Sequence, residues 1–457
     1  MNNIFCITGL KEELYLKKLI SLVLVFAFIF AVLAGCAPTG TPGSSTETTQ
    51  PGSDSKPAAK TTLNFWTFQE LHNSFMDDAV ETWNKANPDR QIELKTDVYP
   101  VDDMHNKLLI ALQSGTGAPD IVDIECGRFP TFLKGTPALV EFNRVVEPIK
   151  DKLIMGRLEN YAKDGKYYGL DYHVGAQVIY YNKEILDQAG VNADDIKTWD
   201  DFIAAGKQVV EKTGKPMTTF EITDHWAYYP LITMQGSDYL TKDGKPQLDN
   251  EANIRALKLQ ADMMFEHKIA IIAPGAWHHA EEYWAWMNQG GAASVWMPMW
   301  YMGRFTQYMP DLKGKIIIRP MPTFPGGALS AGMGGTGTAV TNQSKNKDLA
   351  VDFLADAKLS LEGSIKTWTI LGFDPIRKDA WSHPAMEAEN EYTQYFGSDI
   401  FNTLKDVVAD IGPINYGDLY PEALSLIQKN VLFKVLQERS ETPEEALKKA
   451  NDELLAK

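Results

Sequence analysis

Short apolar strands alternate with amphipathic helices in the first part of this chain, and that order constrains the fold most. Residues 63–65, 92–98 and 121–124 carry the alternating or continuous apolar pattern of strands. Between them, apolar residues recur at helical spacing in 75–83 and 108–112. Strand, helix, strand, helix, strand is typical of a parallel sheet covered by helices. The sequence therefore predicts an α/β fold.

A lysine pair and an apolar run precede the sequence Leu33-Ala34-Gly35-Cys36. A charged start, an apolar middle and small residues at the end are typical of a secretory signal, so we expect residues 1–35 to be removed. The four residues are similar to the lipobox of bacterial lipoproteins, which implies a diacylglyceryl group on the sulfur of Cys36. Residues 36–61, rich in Ser, Thr, Gly and Pro, are expected to form a flexible tether. The alternative is an uncleaved amino-terminal anchor helix.

Length, charge and cysteine count limit what the folded part can be. The 457 residues, less the signal, exceed the roughly 250–300 residues beyond which one core stops growing, so we expect two domains. A net charge of −16 argues against nucleic acid as a partner. Because Cys6 lies in the signal and Cys36 is the expected lipid site, Cys126 has no partner for a disulfide. We expect Cys126 to be a small buried residue rather than a nucleophile.

The second half of the chain continues the alternation of strands and helices. Residues 178–181 and 316–318 are predicted strands, and 254–265 is helical by its period. Thr198, followed by acidic residues, is a predicted helix N-cap. The stretch 296–301 is aromatic and contains a proline, with a glycine soon after, which predicts a loop rather than a regular buried helix.

Several segments together resemble the family 1 extracellular solute-binding proteins of carbohydrate ABC importers. They are Asn64-Phe65-Trp66, Trp83-Asn84-Lys85 to Asn87-Pro88, Leu112-Gln113-Ser114-Gly115, Ala118-Pro119-Asp120-Ile121-Val122, Tyr180-Tyr181-Asn182-Lys183, Thr198-Trp199-Asp200-Asp201-Phe202, Ser344-Lys345-Asn346-Lys347, Asp374-Pro375 and Arg377-Lys378. The resemblance lies in their order over nearly the whole mature chain behind a lipobox. The stretches 65–72 and 171–175 are most similar to the arabinose, arabino-oligosaccharide and lactose type.

The resemblance implies a periplasmic-binding-protein-like fold with two α/β lobes and a ligand cleft between them. The chain would cross a hinge three times, near Tyr172, Met321 and Thr369, and the lobes would close on the ligand. The expected lobes are residues 62–171 with 322–368, and residues 172–321 with 369–457. The closed form would dock on a membrane permease while other polypeptides hydrolyse ATP. We expect a monomeric receptor without cofactor, on the outer face of the membrane of a Gram-positive cell.

Sugars offer apolar C–H faces and rings of hydroxyl groups, so aromatic and polar side chains are the candidates for binding. The aromatic candidates are Trp66, Trp277, Trp296, Trp300 and Tyr301, for which core packing is the alternative. The polar candidates are Glu70, His72, Glu125, Arg128, His173 and Asp374, several of them at the carboxyl ends of strands. Gly335 would let the backbone approach the ligand, or would serve a tight turn.

Two other functions are alternatives to a binding protein, and one histidine pair raises the question of a metal site. A secreted glycoside hydrolase would need a carboxylate pair such as Glu70 and Glu125. A surface adhesin or sensor subunit could share the same binding fold. The adjacent His278 and His279 point about 100° apart on a helix, unlike the metal-binding pair four residues apart, so no metal site is expected.

Overall fold

The computed structural model of the protein describes residues 59–408, 411–412 and 414–457. The expected signal 1–35, the lipid site Cys36 and all but the end of the tether lie outside the described residues. Within the described ranges, no helix combines the length and apolar character that crossing a bilayer requires.

Thirteen strands are present in the described residues, most of them short. They are β1 (Thr61–Thr67), β2 (Ile92–Val98), β3 (Ile121–Glu125), β4 (Ala162–Lys163), β5 (Lys166–Tyr167), β6 (Gln177–Asn182), β7 (Thr218–Phe220), β8 (Ala270–Ile272), β9 (Ser294–Pro298), β10 (Ile316–Arg319), β11 (Ser330–Ala331), β12 (Thr336–Val340) and β13 (Ile411–Gly412).

Helices cover and connect these strands. They are α1 (Glu70–Ala86), α2 (Val101–Ser114), α3 (Phe129–Leu133), α4 (Asn143–Val146), α5 (Met155–Leu158), α6 (Lys183–Ala189), α7 (Trp199–Thr213), α8 (Tyr229–Thr233), α9 (Glu251–Phe265), α10 (Glu281–Asn288), α11 (Met302–Tyr308), α12 (Lys347–Leu359), α13 (Leu361–Leu371), α14 (Glu391–Phe396), α15 (Ile400–Val408), α16 (Tyr420–Leu426) and α17 (Pro443–Leu455). Two π-helical segments, Ile427–Val431 and Phe433–Glu438, follow α16.

The first sheet has the strand order β12-β3-β1-β2. β1 pairs in parallel with both β2 and β3, which confirms the α/β sheet predicted from the sequence. Leu63 and Phe65 are fully buried in one core together with residues of α1, and Trp66 belongs to the core on the other face with Leu108 of α2. β12 pairs antiparallel with β3, so a strand from much later in the chain completes this sheet.

The second sheet has the order β10-β6-β9, with both pairs antiparallel. Successive residues of β6 enter opposite cores: Ile179 packs with the long helices α7 and α9, whereas Val178 and Tyr180 pack with α11 and α14. The predicted cap at the start of α7 is confirmed, because Thr198 and Asp201 bond reciprocally across the first turn.

Three separate segments of the chain lie side by side. His173 forms a bridge with Pro375, and Ala176 forms one with Gly332. The amide of Val174 donates to the carbonyl of Asp374 over 2.8 Å. The adjoining segments are therefore 173–176, 332–335 and 373–375.

The three residues near which the hinge crossings are expected lie in different surroundings. Tyr172 directly precedes the first segment. Met321, in contrast, is 2% exposed and packs in a core with Trp199 and Phe324. Thr369 lies inside α13, ahead of the segment 373–375.

Candidate functional site

A cavity of about 860 Å³ opens beside the three adjoining segments. One side is formed by residues that follow β1 and β3 of the first sheet. The other side is formed by residues that follow β7, β8 and β9, together with α16 and the π-helical segment after it. The cavity therefore lies at the carboxyl ends of strands, where open α/β sheets bind ligands.

The side near the first sheet is polar, and we call His105, Asn106, Glu125 and Arg128 the polar wall. His105 accepts a hydrogen bond from the amide of Glu125 at Nε2, over 3.0 Å, and its Nδ1 lies 2.6 Å from the carbonyl oxygen of Val101. That pairing leaves the proton on Nδ1, and burial lowers the pKa of His105 to about 4. Burial also raises the pKa of Glu125, although its carboxylate accepts the amide of Arg128.

His72, on α1, lines the cavity, and its ring is hydrogen-bonded to a buried carboxylate. Its Nδ1 lies 2.8 Å from Oδ2 of Asp123, and its ring stacks on Tyr172 with centroids 4.2 Å apart. Burial alone would raise the pKa of Asp123, but His72, Lys358 and Thr338 stabilise the charged form and hold the pKa below its usual value. His72 is thereby fixed in one orientation at the cavity surface.

The opposite side is aromatic, and we call Trp226, Trp277, His279 and Trp300 the aromatic wall. The Trp226 and Trp300 rings meet edge to face with centroids 5.1 Å apart, and His279 stacks on Trp300 at 5.6 Å. The indole N–H of Trp300 donates to the carbonyl of Met333 over 3.1 Å. The three indoles are held by hydrogen bonds from their N–H groups, that is, at the ring edges and not at the ring faces.

The adjoining segments form the floor of the cavity through His173 and Gly335. Among the described residues, Nδ1 of His173 has no hydrogen-bond partner although the ring is buried. Burial lowers the pKa of His173 to about 3, so the ring is neutral at physiological pH. A Cβ on Gly335 would overlap the guanidinium of Arg157, which donates to Asp171 over 2.9 Å. Only glycine lets the backbone pass this ion pair.

Seven of the twelve binding residues expected from the sequence line the cavity, and five do not. The seven are His72, Glu125, Arg128, His173, Trp277, Trp300 and Gly335. The five are Trp66, Glu70, Trp296, Tyr301 and Asp374, all of them among the described residues.

The prediction that Trp296 stands in a loop is wrong, because it lies in β9. Its side chain is 1% exposed among the rings of Trp199, Phe202 and Phe220, and its N–H donates to the carbonyl of Ala227. Trp296 is therefore part of the core and not of the cavity wall.

Tyr301 is also fully buried, and its hydroxyl donates to the carbonyl of His278 over 2.5 Å. Trp66 is 6% exposed and packs beneath the ammonium of Lys107. Glu70 is exposed in the first turn of α1, where a carboxylate stabilises the helix dipole. These three side chains have structural surroundings that their position in the sequence does not reveal.

Asp374 is buried at the meeting point of two adjoining segments and does not reach the cavity. Its carboxylate accepts the amides of Gly175 and Ala176 over 3.1 and 2.7 Å. Burial raises the pKa of Asp374 to about 6 despite these bonds. Its role in the structure is to tie the third segment to the first.

The sequence reasoning missed residues on both sides of the cavity. They include Asp224, Trp226, Tyr229, Arg304, Tyr416, Tyr420 and Gln428. The run Asp224-His225-Trp226 follows β7 and offered the same signal of polar and aromatic residues after a strand that identified Glu125. Tyr416 and Tyr420 reach the cavity only through long-range packing, for which the local sequence has no signal.

In the described part of the chain, no group of three or more His, Cys, Asp or Glu side chains is placed to hold a metal ion. His278 is fully buried, and its Nε2 lies 2.9 Å from the hydroxyl of Thr219.

The sequence profile described as "Bacterial extracellular solute-binding protein" matches residues 68–355 of this chain. This chain belongs to that family. An "Arabinooligosaccharide-binding protein" of Halalkalibacterium halodurans is 50% identical over 397 residues, which are 87% of this chain and 89% of that protein. A protein of the same name from Bacillus subtilis is 46% identical over 445 residues, 96% of this chain and 100% of that protein.

Solved structures share the fold of this solute-binding protein. The GacH receptor of Streptomyces glaucescens, determined without ligand and with acarbose, superimposes with a TM-score of 0.71 at 20% identity. The match covers 87% of this chain and 99% of that one. The periplasmic-binding-protein-like fold implied by the sequence resemblance is thus confirmed.

Membership in a family of binding proteins confirms that this solute-binding protein is not an enzyme. The cavity also does not bring together the carboxylate pair expected for a glycoside hydrolase, because Glu125 lines it and Glu70 does not. Retaining and inverting hydrolases need two carboxyl groups flanking one bond.

Proposed function

We propose that this solute-binding protein is the receptor of an ABC importer for arabino-oligosaccharides. The observation that carries the proposal is the pairing of an aromatic wall with a polar wall across one cavity. A sugar ring presents an apolar face to an indole and hydroxyl groups to carboxylate, imidazole and guanidinium groups. The two relatives named for arabino-oligosaccharides narrow the class of sugar.

The size of the cavity is consistent with an oligosaccharide. About 860 Å³ lies in the upper part of the 300–1,000 Å³ range of ligand pockets. Trp277, at one edge of the aromatic wall, is 40% exposed. A linear ligand would therefore contact several rings in turn and extend toward solvent past Trp277.

Binding is coupled to closure of two lobes about the adjoining segments 173–176, 332–335 and 373–375. The polar wall stands on α2 and at the end of β3, and the aromatic wall on residues after β7, β8 and β9, so a ligand that contacts both draws them together. Such hinge closure requires only that the ligand bind the closed state more tightly than the open state. The closed form presents the sugar to the permease.

The receptor is a monomer held at the outer face of the membrane by a lipid on Cys36. The variant Cys36→Ser lacks the sulfur that would carry the lipid, so we expect its precursor to take up no labelled palmitate. Labelling that persists in the variant would contradict the anchor. Size-exclusion chromatography of the mature chain tests the monomer.

The melting temperature of the mature chain with different sugars tests the proposed ligand class. Because a ligand that binds only the folded state stabilises it by about 2.7 kcal/mol at one hundred times its Kd, an arabino-oligosaccharide should raise the melting temperature by a few degrees. Xylo-, gluco- and galacto-oligosaccharides serve as controls. A shift with one of these and none with the arabino series would contradict the proposed sugar.

A further inference from the structure

Asp224 lines the cavity beside the aromatic wall and holds two of its rings through one carboxylate oxygen. The indole N–H of Trp226 donates to Oδ2 over 2.9 Å, and that of Trp277 donates to the same atom over 3.2 Å. The other oxygen, Oδ1, accepts the amide of His225 over 2.8 Å and the side-chain amide of Gln428 over 2.9 Å. Four donors therefore converge on this side chain.

Only a side chain with two acceptor oxygens can satisfy this arrangement. Its two oxygens accept hydrogen bonds at about four lone-pair sites and donate none. An asparagine amide would keep one acceptor oxygen and turn two N–H donors toward either the two indoles or His225 and Gln428. One of these pairs would lose its acceptor, so Asp224→Asn breaks the arrangement with almost no change in volume.

The two rings held by Asp224 occupy different depths of the cavity. Trp226 is half-buried, packs against Trp300, and would lie within 3.4 Å of a Cβ on Gly334 at the floor. Trp277 is 40% exposed and contacts His279 at a centroid distance of 5.1 Å. Trp226 is thus supported by packing, whereas the orientation of Trp277 depends more on its bond to Asp224.

We propose that Asp224 is a positioning residue that holds Trp226 as an inner and Trp277 as an outer stacking surface, and that it thereby sets a preference for longer sugar chains. This inference rests on the proposed function. A short oligosaccharide on the inner surface does not reach Trp277. A longer one does, and it gains affinity only if the outer indole is already fixed, because ordering a side chain on binding costs free energy.

Calorimetric titration of arabinobiose, arabinotriose and arabinopentaose tests the proposal on the mature chain and on Asp224→Asn. We expect Asp224→Asn to weaken pentaose binding about tenfold and biose binding much less, because a hydrogen bond to a charged group is lost at the outer surface. Asp194→Asn, which removes a carboxylate paired with Arg319 away from the cavity, is the matched control and should bind all three sugars normally.

Trp277→Phe tests the same hydrogen bond from its other end, since it keeps an aromatic face and lacks the N–H. It should reproduce the chain-length dependence even if Asp224→Asn folds poorly. Equal weakening for all three sugars in both variants, or unchanged binding in both, would overturn the role of Asp224. A wild-type chain that binds none of the three sugars would instead refute the proposed function.

Discussion

His72 donates from Nδ1 to Oδ2 of Asp123 across 2.8 Å, and this bond connects the cavity surface to the buried centre of the first sheet. The same carboxylate accepts the hydroxyls of Thr67 and Thr338 over 2.8 and 2.6 Å. Lys358 donates to the Thr338 hydroxyl over 2.6 Å from α12. One fully buried charge therefore orders β1, β3, β12 and α1 at the edge where the ligand is expected.

Asp123→Asn should destabilise the fold and weaken sugar binding together. Removing one partner of a buried charge arrangement costs about 3–5 kcal/mol, because Lys358 then loses Asp123, the stronger of its two acidic neighbours, and keeps only Asp171. The hydrogen bond that fixes the His72 ring also loses its charged acceptor. Urea unfolding measures the first effect and calorimetry the second. Asp97→Asn, an exposed carboxylate on β2, is the control, and an equally small change in both variants would contradict the role of Asp123.

Trp300→Ala and Trp296→Ala should separate binding from stability. Trp300 is half-buried in the aromatic wall, so its loss removes a stacking surface worth about 1.5–3 kcal/mol, or roughly tenfold to over a hundredfold in Kd. Trp296 is 1% exposed, so its truncation should cost about 3–5 kcal/mol of folding stability instead. Calorimetry and urea unfolding of both variants check the contrast. Unchanged affinity in Trp300→Ala would remove that ring from the binding surface.

Gly175→Ala should be far more destabilising than Gly115→Ala. Both glycines have positive φ, 73° and 74°, so both variants carry the left-handed strain of about 1–2 kcal/mol. A Cβ on Gly115 would meet open space, whereas one on Gly175 would overlap the carbonyl oxygen of Met333 in the neighbouring segment. The difference in free energy of unfolding between the two variants measures that close approach. Equal free energies of unfolding for the two variants would show that the segments 173–176 and 332–335 can move apart without a loss of stability.

The pKa of His105 predicts a pH dependence of stability. The folded state holds this pKa at about 4, below the usual value of 6.5. Between these values the unfolded chain binds a proton that the folded chain does not, so stability falls as the pH decreases from 6.5 toward 4. His105→Gln lacks this contribution. Its deficit relative to the wild type should shrink on acidification by about 1.4 kcal/mol per pH unit, measured by urea unfolding. A deficit independent of pH would contradict the assignment.

The sequence predicted β1, β2, β3 and the helices between them because each depends on local periodicity. β12 was not foreseen, since its pairing with β3 joins residues far apart in the chain and its glycines favour a turn. The same long-range packing decides which tryptophans are accessible. Trp296 and Trp300 are four residues apart, yet only the pairing of β9 with β6 places the first in a core.

The candidate site was predictable where a polar residue stands at the end of a strand or just after it. Glu125 and Arg128 were found in this way, and His173 by its position at the first expected crossing. Asp374 was chosen from the resemblance to the family, but its carboxylate accepts the amides of Gly175 and Ala176. Whether a carboxylate faces a ligand or a backbone depends on contacts between distant segments, which local sequence does not encode.

Calorimetric titration of the mature chain with arabinotriose, followed by chromatography of the recovered sugar, tests the central claim most directly. The aromatic and polar walls of one cavity should give a saturable isotherm with one site, and the sugar should be recovered intact. A titration without saturable heat, or recovery of shortened sugars, would contradict a carbohydrate receptor.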